Sequence, residues 1–256
     1  MSKNQERFTG KADIYKKFRS SYPYELIEYL YSQIGFGKSS IIADIGSGTG
    51  IFSRLLLERG SFVYGVEPND DMRKTAERDL IDVSGFKNFT SINSPAENTG
   101  LKEKSFDFVT AAQAFHWFDR SSFKAECKRI LKNEGQAVLV WNKRDVASDF
   151  NKRDYIIREK YCIDTKGFGD NGGPPKDLHD FFIGKSYEKR FFRNDLAIDR
   201  ETYIGMNLSR SYSPRENKNP DKYCGFVKEM NRLFDEYSSS EVVRFAQITE
   251  SYIGKV

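Results

Sequence analysis

Ile41-Ile-Ala-Asp-Ile-Gly-Ser-Gly-Thr-Gly50 is a short apolar run that ends in three glycines spaced by single residues, and Ile51-Phe-Ser-Arg-Leu-Leu-Leu-Glu-Arg59 follows with helical periodicity. A strand that feeds a glycine turn and then a helix places a side-chain-free loop at the carboxyl edge of the first strand. Open α/β sheets bind their ligands there. Glycine serves such a loop in two ways: the chain turns sharply, and a ligand approaches the backbone more closely than a Cβ permits. A bare strand-to-helix turn needs one glycine rather than three in alternation.

Outward from this loop, short apolar runs and amphipathic stretches alternate from about Ser40 to Asn142. The pattern predicts strands near 40–45, 62–66, 88–93, 106–112 and 136–142, with helices near 50–59, 70–81 and 120–132. This is an α/β, doubly wound arrangement, a parallel sheet with helices on both faces. Asn69 and Asp70 offer capping oxygens to the second helix, and Gly60 and Gly135 stand where helices should stop. Upstream, Lys11–Gln33 predicts two helices broken near Ser20-Ser-Tyr-Pro23, forming an N-terminal cap. Downstream, Asn151–Tyr161, Asp199–Leu208 and Lys218–Tyr237 are predicted helices, and Lys166–Pro175 is a Gly/Pro-rich segment suited to a lid or to an ordinary surface loop. Tyr187–Phe192 and Val242–Ile248 are expected to close the sheet edge as an antiparallel pair.

Composition bounds the function classes. The chain has 256 residues, 38% hydrophobic and 30% charged, which suits a folded domain with a wet surface. No apolar run approaches the roughly 20 residues of a spanning helix, and the first residues lack the apolar stretch of a signal peptide. A cytoplasmic protein with no membrane partner is expected. The net charge is +4, but 41 basic residues are interleaved with 37 acidic ones, so a nucleic-acid partner is not indicated. Cys127, Cys162 and Cys224 are widely spaced and histidines number two, so neither a disulfide framework nor a metal site is expected.

Two ligand classes fit the loop. A dinucleotide site reads GxGxxG with an acidic residue about 20 positions on, and Glu67, at the end of Phe62-Val-Tyr-Gly-Val66, fits that acidic position for either class because a carboxylate can accept both hydroxyls of an adenosine ribose. The loop itself reads GxGxG, with Ile51 where the dinucleotide pattern needs its third glycine. Asp44 precedes the first glycine by two residues; a carboxylate there would sit poorly beside a pyrophosphate but would suit the cationic amino group of a methionine moiety.

With these residues the chain resembles the class I S-adenosylmethionine-dependent methyltransferases, in particular the small-molecule branch around trans-aconitate methyltransferase. The pieces that carry the resemblance are Tyr15-Lys-Lys-Phe-Arg19 with Tyr22-Pro23, the glycine loop, Val66-Glu67-Pro68, Ala96-Glu97, Ser105-Phe-Asp107 and Ala111-Ala-Gln-Ala-Phe-His-Trp117. It implies a seven-stranded, mostly parallel sheet of the Rossmann-like methyltransferase fold in a single domain over residues 1–256: an N-terminal helical cap (1–37), a cofactor-binding core (38–142), and an acceptor-covering insertion with closing strands (143–256). It also implies S-adenosylmethionine as cofactor, S-adenosylhomocysteine as product, and a small-molecule acceptor. By the same resemblance Asp44, Gly46 and Gly48 would line the methionine end, Glu67 would hold the ribose, Pro68 would lie near the adenine, Ala96 and Glu97 would edge that ring, and Gln113 would sit near the methionine moiety. Relatives often carry an aspartate or serine just before the Ala-Glu pair; here it is Pro95.

Methyl transfer from a sulfonium needs in-line alignment and exclusion of water more than covalent machinery. Tyr15, Phe18 and Tyr22 on the cap, with Phe115 and Trp117, supply aromatic faces for the cation. His116 has two readings, a general base for a hydroxyl acceptor or a wall residue packed with Trp117. Arg19 either grips a carboxylate or is a solvated helix residue; Tyr15 either meets the cofactor or packs in the core. Arg210, with Ser211 and Tyr212, is a candidate for acceptor recognition, and an exposed polar turn is the other reading. A methyltransferase for RNA or protein, a nicotinamide oxidoreductase and a non-catalytic binder remain open alternatives.

Overall fold

A computed structural model describes residues 20–162, 174–210 and 212–256. Tyr15, Phe18, Arg19, the first N-terminal helix, Ser211 and most of the Gly/Pro-rich segment lie outside the described residues.

Nine strands and seven α-helices are defined among those residues. The strands are β1 (Ile41–Ile45), β2 (Phe62–Val66), β3 (Phe89–Ile92), β4 (Phe106–Ala112), β5 (Leu131–Arg144), β6 (Glu188–Arg193), β7 (Leu196–Asp199), β8 (Val242–Phe245) and β9 (Gln247–Gly254). The helices are α1 (Tyr24–Tyr29), α2 (Ile51–Glu58), α3 (Asp70–Glu77), α4 (Arg120–Ile130), α5 (Asp149–Tyr161), α6 (Arg200–Leu208) and α7 (Pro220–Tyr237). Seven strands form one sheet in the order β3-β2-β1-β4-β5-β9-β6, and β9 alone runs against its neighbours. The order reverses between β1 and β4, which opens a crevice at the carboxyl ends of those two strands.

Local chemistry starts the helices where side-chain caps predict. Asn69 accepts Met72 N–H at 3.1 Å ahead of α3, and Asp119, Ser148, Asp199 and Asn219 cap α4, α5, α6 and α7 in the same manner. Pro23, extended, precedes α1, and Pro220 opens α7, where a missing N–H leaves no bond unmade. One face of the sheet packs Phe115, Phe123, Ile130, Trp141 and Tyr252, and the other packs Leu26, Leu30, Phe36, Leu56 and Phe108. Fully burying an aromatic side chain of this kind contributes about 2–3 kcal/mol, so the platform beneath the crevice is rigid compared with its loops. A third apolar cluster joins α5, α6, α7 and β8 into a helical lobe built on Phe150, Tyr203, Phe226, Phe234 and Phe245.

Four details depart from the sequence expectation. The helix expected over 70–81 leaves α geometry after Glu77 and continues as a π turn through Val83. Helix α4 ends at Ile130 instead of 132, because Leu131 already pairs with Phe106; the ladder then slips, with Phe108 opposite Gln136. Gly135 is therefore inside β5, where an added Cβ would lie 2.9 Å from Leu131, and is not a helix stop. The expected pairing of 187–192 with 242–248 is also corrected. β6 pairs with β9, from Glu188↔Ile253 to Arg193↔Ile248, whereas β8 pairs with β7 in a separate two-stranded sheet. The run divides at Ala246, whose carbonyl accepts Asp145 N–H and Asn151 Nδ2, while Gln247 N–H turns to the Asp195 carboxylate.

Candidate functional site

The glycine loop lies at the point of strand-order reversal. Gly46, Gly48 and Gly50 have φ of 68°, 57° and 80°, a left-handed run that glycine adopts without steric penalty. Their surroundings differ. A Cβ on Gly46 would fall 2.5 Å from Ala114 Cβ, and one on Gly50 would fall 2.7 Å from Leu80, so these two glycines permit close packing. A Cβ on Gly48 would meet nothing within 4 Å, so Gly48 faces open space at the crevice.

Glu67 closes this loop from β2. Its Oε2 accepts Gly48 N–H at 3.0 Å and its Oε1 accepts Asn69 N–H at 2.8 Å. Burial pushes the Glu67 carboxyl up to about 7, the two backbone donors pull it down, and the charge of Asp44 adds a smaller upward push. Gly46 N–H and Ser47 N–H both donate to Val66 O, fixing the turn to the end of β2.

Asp44 sits below the loop, 1% exposed. Ser53 donates to its Oδ2 at 2.6 Å and Thr110 to its Oδ1 at 2.8 Å. Burial raises its carboxyl to about 6 against the opposing effect of these hydroxyls. Asp44 is thus held by α2 and β4. Ser53 and Thr110 were not singled out from sequence, although a threonine in the otherwise apolar Phe108–Ala112 run was the available signal.

Across the crevice, Gln113 follows β4 with φ 57°, a left-handed conformation uncommon for a residue with a side chain. It is over-determined: its N–H donates to Val140 O and its Nε2 to Asn142 O, both at 2.8 Å. Asn142 in turn donates to Ser21 O at 3.1 Å, as does Asn194 at 3.0 Å, so the segment before α1 is tied over the carboxyl edge of the sheet. Asn142 and Asn194 were missed because isolated asparagines carry no pattern.

The other candidates fall around this centre. Phe115, His116 and Trp117 form one 3-10 turn, with the His116 and Trp117 ring centroids 5.0 Å apart. Ala114 and Phe118, which flank that turn, touch the position of Gly46. Ala96 is buried in the same cluster as Phe115, and Glu97 Oε1 accepts Asp119 N–H at 2.8 Å. Pro68, half-buried, follows Glu67 directly. Tyr22 packs edge-on against Phe52 at 5.0 Å, in the first turn of α2. Arg210 stands instead in the helical lobe, donating to Tyr212 Oη at 3.1 Å, with its charge bearing on Arg144 at the end of β5.

Residues 43–139 match a protein-family model described as a methyltransferase domain. An uncharacterized methyltransferase of Mycobacterium tuberculosis is 33% identical over 138 residues, 54% of this chain and 53% of the relative. A provisionally named methyltransferase of Dictyostelium discoideum is 30% identical over 166 residues, 65% of this chain and 60% of its own length. The chain thus spans about half to three fifths of these curated relatives. A provisionally named type II methyltransferase of Anaeromyxobacter dehalogenans superposes with a TM-score of 0.60 at 22% identity, covering 93% of this chain and 98% of that one. A phosphoethanolamine N-methyltransferase of Haemonchus contortus, solved with S-adenosylhomocysteine, superposes at 0.56 with 12% identity, over 100% of this chain and 61% of the other. At these identities the superpositions speak for the fold. The segment from Ala43 to Leu139, with its glycine loop, matches the methyltransferase-domain model, and the sheet around it has the Rossmann-like fold of the solved methyltransferases.

Proposed function

We propose that the protein transfers a methyl group from S-adenosylmethionine to a small-molecule acceptor in the cytoplasm, at a carboxylate or hydroxyl oxygen. The observation that carries this reading is the pairing of the Glu67 carboxylate with the Gly48 amide beside the open side of Gly48. A carboxylate at a side-chain-free turn fits a ribose with two free hydroxyls, so these residues suit the cofactor. When bound, S-adenosylmethionine supplies a sulfonium-activated methyl group open to in-line displacement.

The chain's own residues then have positioning roles. Glu67 would receive the ribose hydroxyls, and Gly46 and Gly48 let the methionine end approach the backbone, with Asp44 below giving that end a negative field. Pro68, Ala96 and Glu97 would border the adenine, and Gln113, locked on Asn142, would face the methionine moiety. Tyr15 and Arg19 belong to the same cofactor set by their motif. Tyr22, His116, Trp117 and Arg210 would bound the acceptor side, with residues 1–37 and 143–256 as its cover. With a carboxylate acceptor, already ionised at neutral pH, His116 would be a wall; with a hydroxyl acceptor it would serve as the general base.

The reading is tested by incubating the protein with methyl-labelled S-adenosylmethionine and a cell extract separated into small-molecule, RNA and protein fractions. Label is expected in the small-molecule fraction and lost with Glu67→Ala. Label in RNA or protein instead would replace the acceptor class.

A further inference from the structure

A cavity of about 360 Å³ opens where the helical lobe meets the carboxyl edge of the sheet, between Asp145 beyond β5, Arg193 at the end of β6 and Ala246 between β8 and β9. It is not the crevice. β6 stands three places from β4 in the sheet, about 14 Å away at the spacing of neighbouring strands. Ligand pockets run from about 300 to 1,000 Å³, so this one suits a small molecule.

The cavity combines apolar walls with a charged rim. Phe150 and Val243 are buried wall residues, and Phe150 is fixed from behind by Tyr203 and Phe245, with ring centroids 5.1 and 6.4 Å away. Tyr237, at the end of α7, stands edge-on to Phe150 at 5.6 Å and is exposed. The rim carries both signs, from different elements. Arg193 donates Nη1 to Asp145 Oδ2 at 2.8 Å and Nη2 to Asp195 Oδ2 at 3.3 Å, and Arg244 donates Nη2 to that same Asp195 oxygen at 2.7 Å. A guanidinium has five N–H donors, so both arginines have donors beyond these bonds. Asp145 is already engaged on both oxygens, since its Oδ1 accepts Ala147 N–H at 3.0 Å. Asp149, which opens α5, gives its Oδ1 to Lys152 at 2.8 Å, and its side chain is 78% exposed.

This lining discriminates between ligand classes. A plain anion would meet Arg193 and Arg244 but also Asp149, and a plain cation would meet the reverse, so the like-charge contact offsets the favourable one. A zwitterion with an apolar body satisfies both signs. Its carboxylate takes guanidinium donors, and its ammonium lies between a carboxylate and an aromatic ring.

We propose that this cavity binds a free apolar α-amino acid, with its side chain against Phe150, Tyr237 and Val243, its carboxylate on Arg193 and Arg244, and its ammonium at Asp149. The site is separate from the crevice and does not depend on the methyltransferase reading. At that separation its occupant is a second ligand rather than the methyl acceptor.

The test is calorimetric titration of the full chain with L-phenylalanine, L-leucine, glycine, L-phenylalaninamide and N-acetyl-L-phenylalanine. Each is run with and without saturating S-adenosylhomocysteine, because the methionine moiety of that molecule is itself an amino acid. Phenylalanine or leucine is expected to bind saturably, at least about tenfold more tightly than glycine, the amide or the N-acetyl compound, because each of those lacks one of the three contacts. S-adenosylhomocysteine should leave that Kd within about twofold. Arg244→Gln and Asp149→Asn replace exposed side chains outside the crevice, and each should raise the Kd by about threefold to fivefold, the scale of charge pairs open to water. The assignment is overturned if neither phenylalanine nor leucine binds, if the amide or the N-acetyl compound binds as tightly as phenylalanine, if S-adenosylhomocysteine displaces the amino acid, or if either variant leaves the Kd unchanged. Failure of S-adenosylhomocysteine to bind counts against the methyltransferase reading alone, and the titrations without it still decide this one.

Discussion

Glu67 Oε2 accepts the backbone N–H of Gly48 at 3.0 Å, which joins the end of β2 to the turn after β1 and leaves a half-buried carboxylate facing the one loop glycine that has open space beside it. Glu67→Gln keeps the shape of the side chain but removes the charge that favours two hydroxyl donors. S-adenosylhomocysteine binding should weaken by about 1.5–3 kcal/mol, measured by calorimetry; the amide keeps only one of the two acceptor oxygens that hold Gly48 and Asn69, so a melt of the same variant separates loss of the loop from loss of binding. Unchanged affinity would remove Glu67 from the cofactor site.

The pH dependence follows from the same burial. The Glu67 carboxyl is pushed up to about 7 and that of Asp44 to about 6, both above their ordinary values, so the folded chain binds protons more readily than the unfolded one. Between about pH 4 and 7 these two groups therefore make stability fall as pH rises. Binding has the opposite sign: ribose hydroxyls favour the ionised carboxylate, so S-adenosylhomocysteine affinity should rise as pH passes through about 7. In Glu67→Gln that rise should disappear; if it persists, another group is responsible.

Gly46 and Gly48 should separate packing from binding. Gly46→Ala sets a Cβ 2.5 Å from Ala114 in a backbone that disfavours side chains, and about 2–4 kcal/mol of stability should be lost. Gly48→Ala meets no neighbour and should cost about 1–2 kcal/mol from the backbone alone, while cofactor affinity drops by a larger factor because the Cβ enters the open crevice. Denaturant melts and calorimetry on both variants give the comparison, and equal effects in both would contradict it.

His116→Gln distinguishes a wall from a base. A general base contributes about 10²–10⁴ in rate, so a wall residue should show less than about tenfold loss in kcat with cofactor affinity intact. A loss near the upper figure, with a pH profile that changes with it, would mark a base and a hydroxyl acceptor.

Much of this was legible in the sequence. The bounds of β2 and β4 were visible because turn residues punctuate mainly apolar runs, and the glycine loop was visible because residues with side chains do not readily take three left-handed positions in five. The rest depends on distant partners. Nothing local marks the π turn at Arg78–Val83, whose Leu80 lies against Gly50. Val242–Ile248 is one apolar run, but it is divided by Asp195 and by the carbonyl of Ala246, groups that tertiary packing brings to it. Asp44 was visible as a carboxylate before the loop, but its burial under Ser53 and Thr110 depends on the register of β1 with β4. Arg144 carries no local signal, since Asp154, which pairs with Arg158 one turn away in α5, meets Arg144 only when α5 folds back on β5.

The central claim is that the crevice between β1 and β4 is built for S-adenosylmethionine. Calorimetric titration of the full chain with S-adenosylhomocysteine, set beside NAD, tests it most directly. Saturable one-to-one binding of S-adenosylhomocysteine, with no heat from NAD, is the predicted result; binding of NAD, or no binding of S-adenosylhomocysteine, would contradict it.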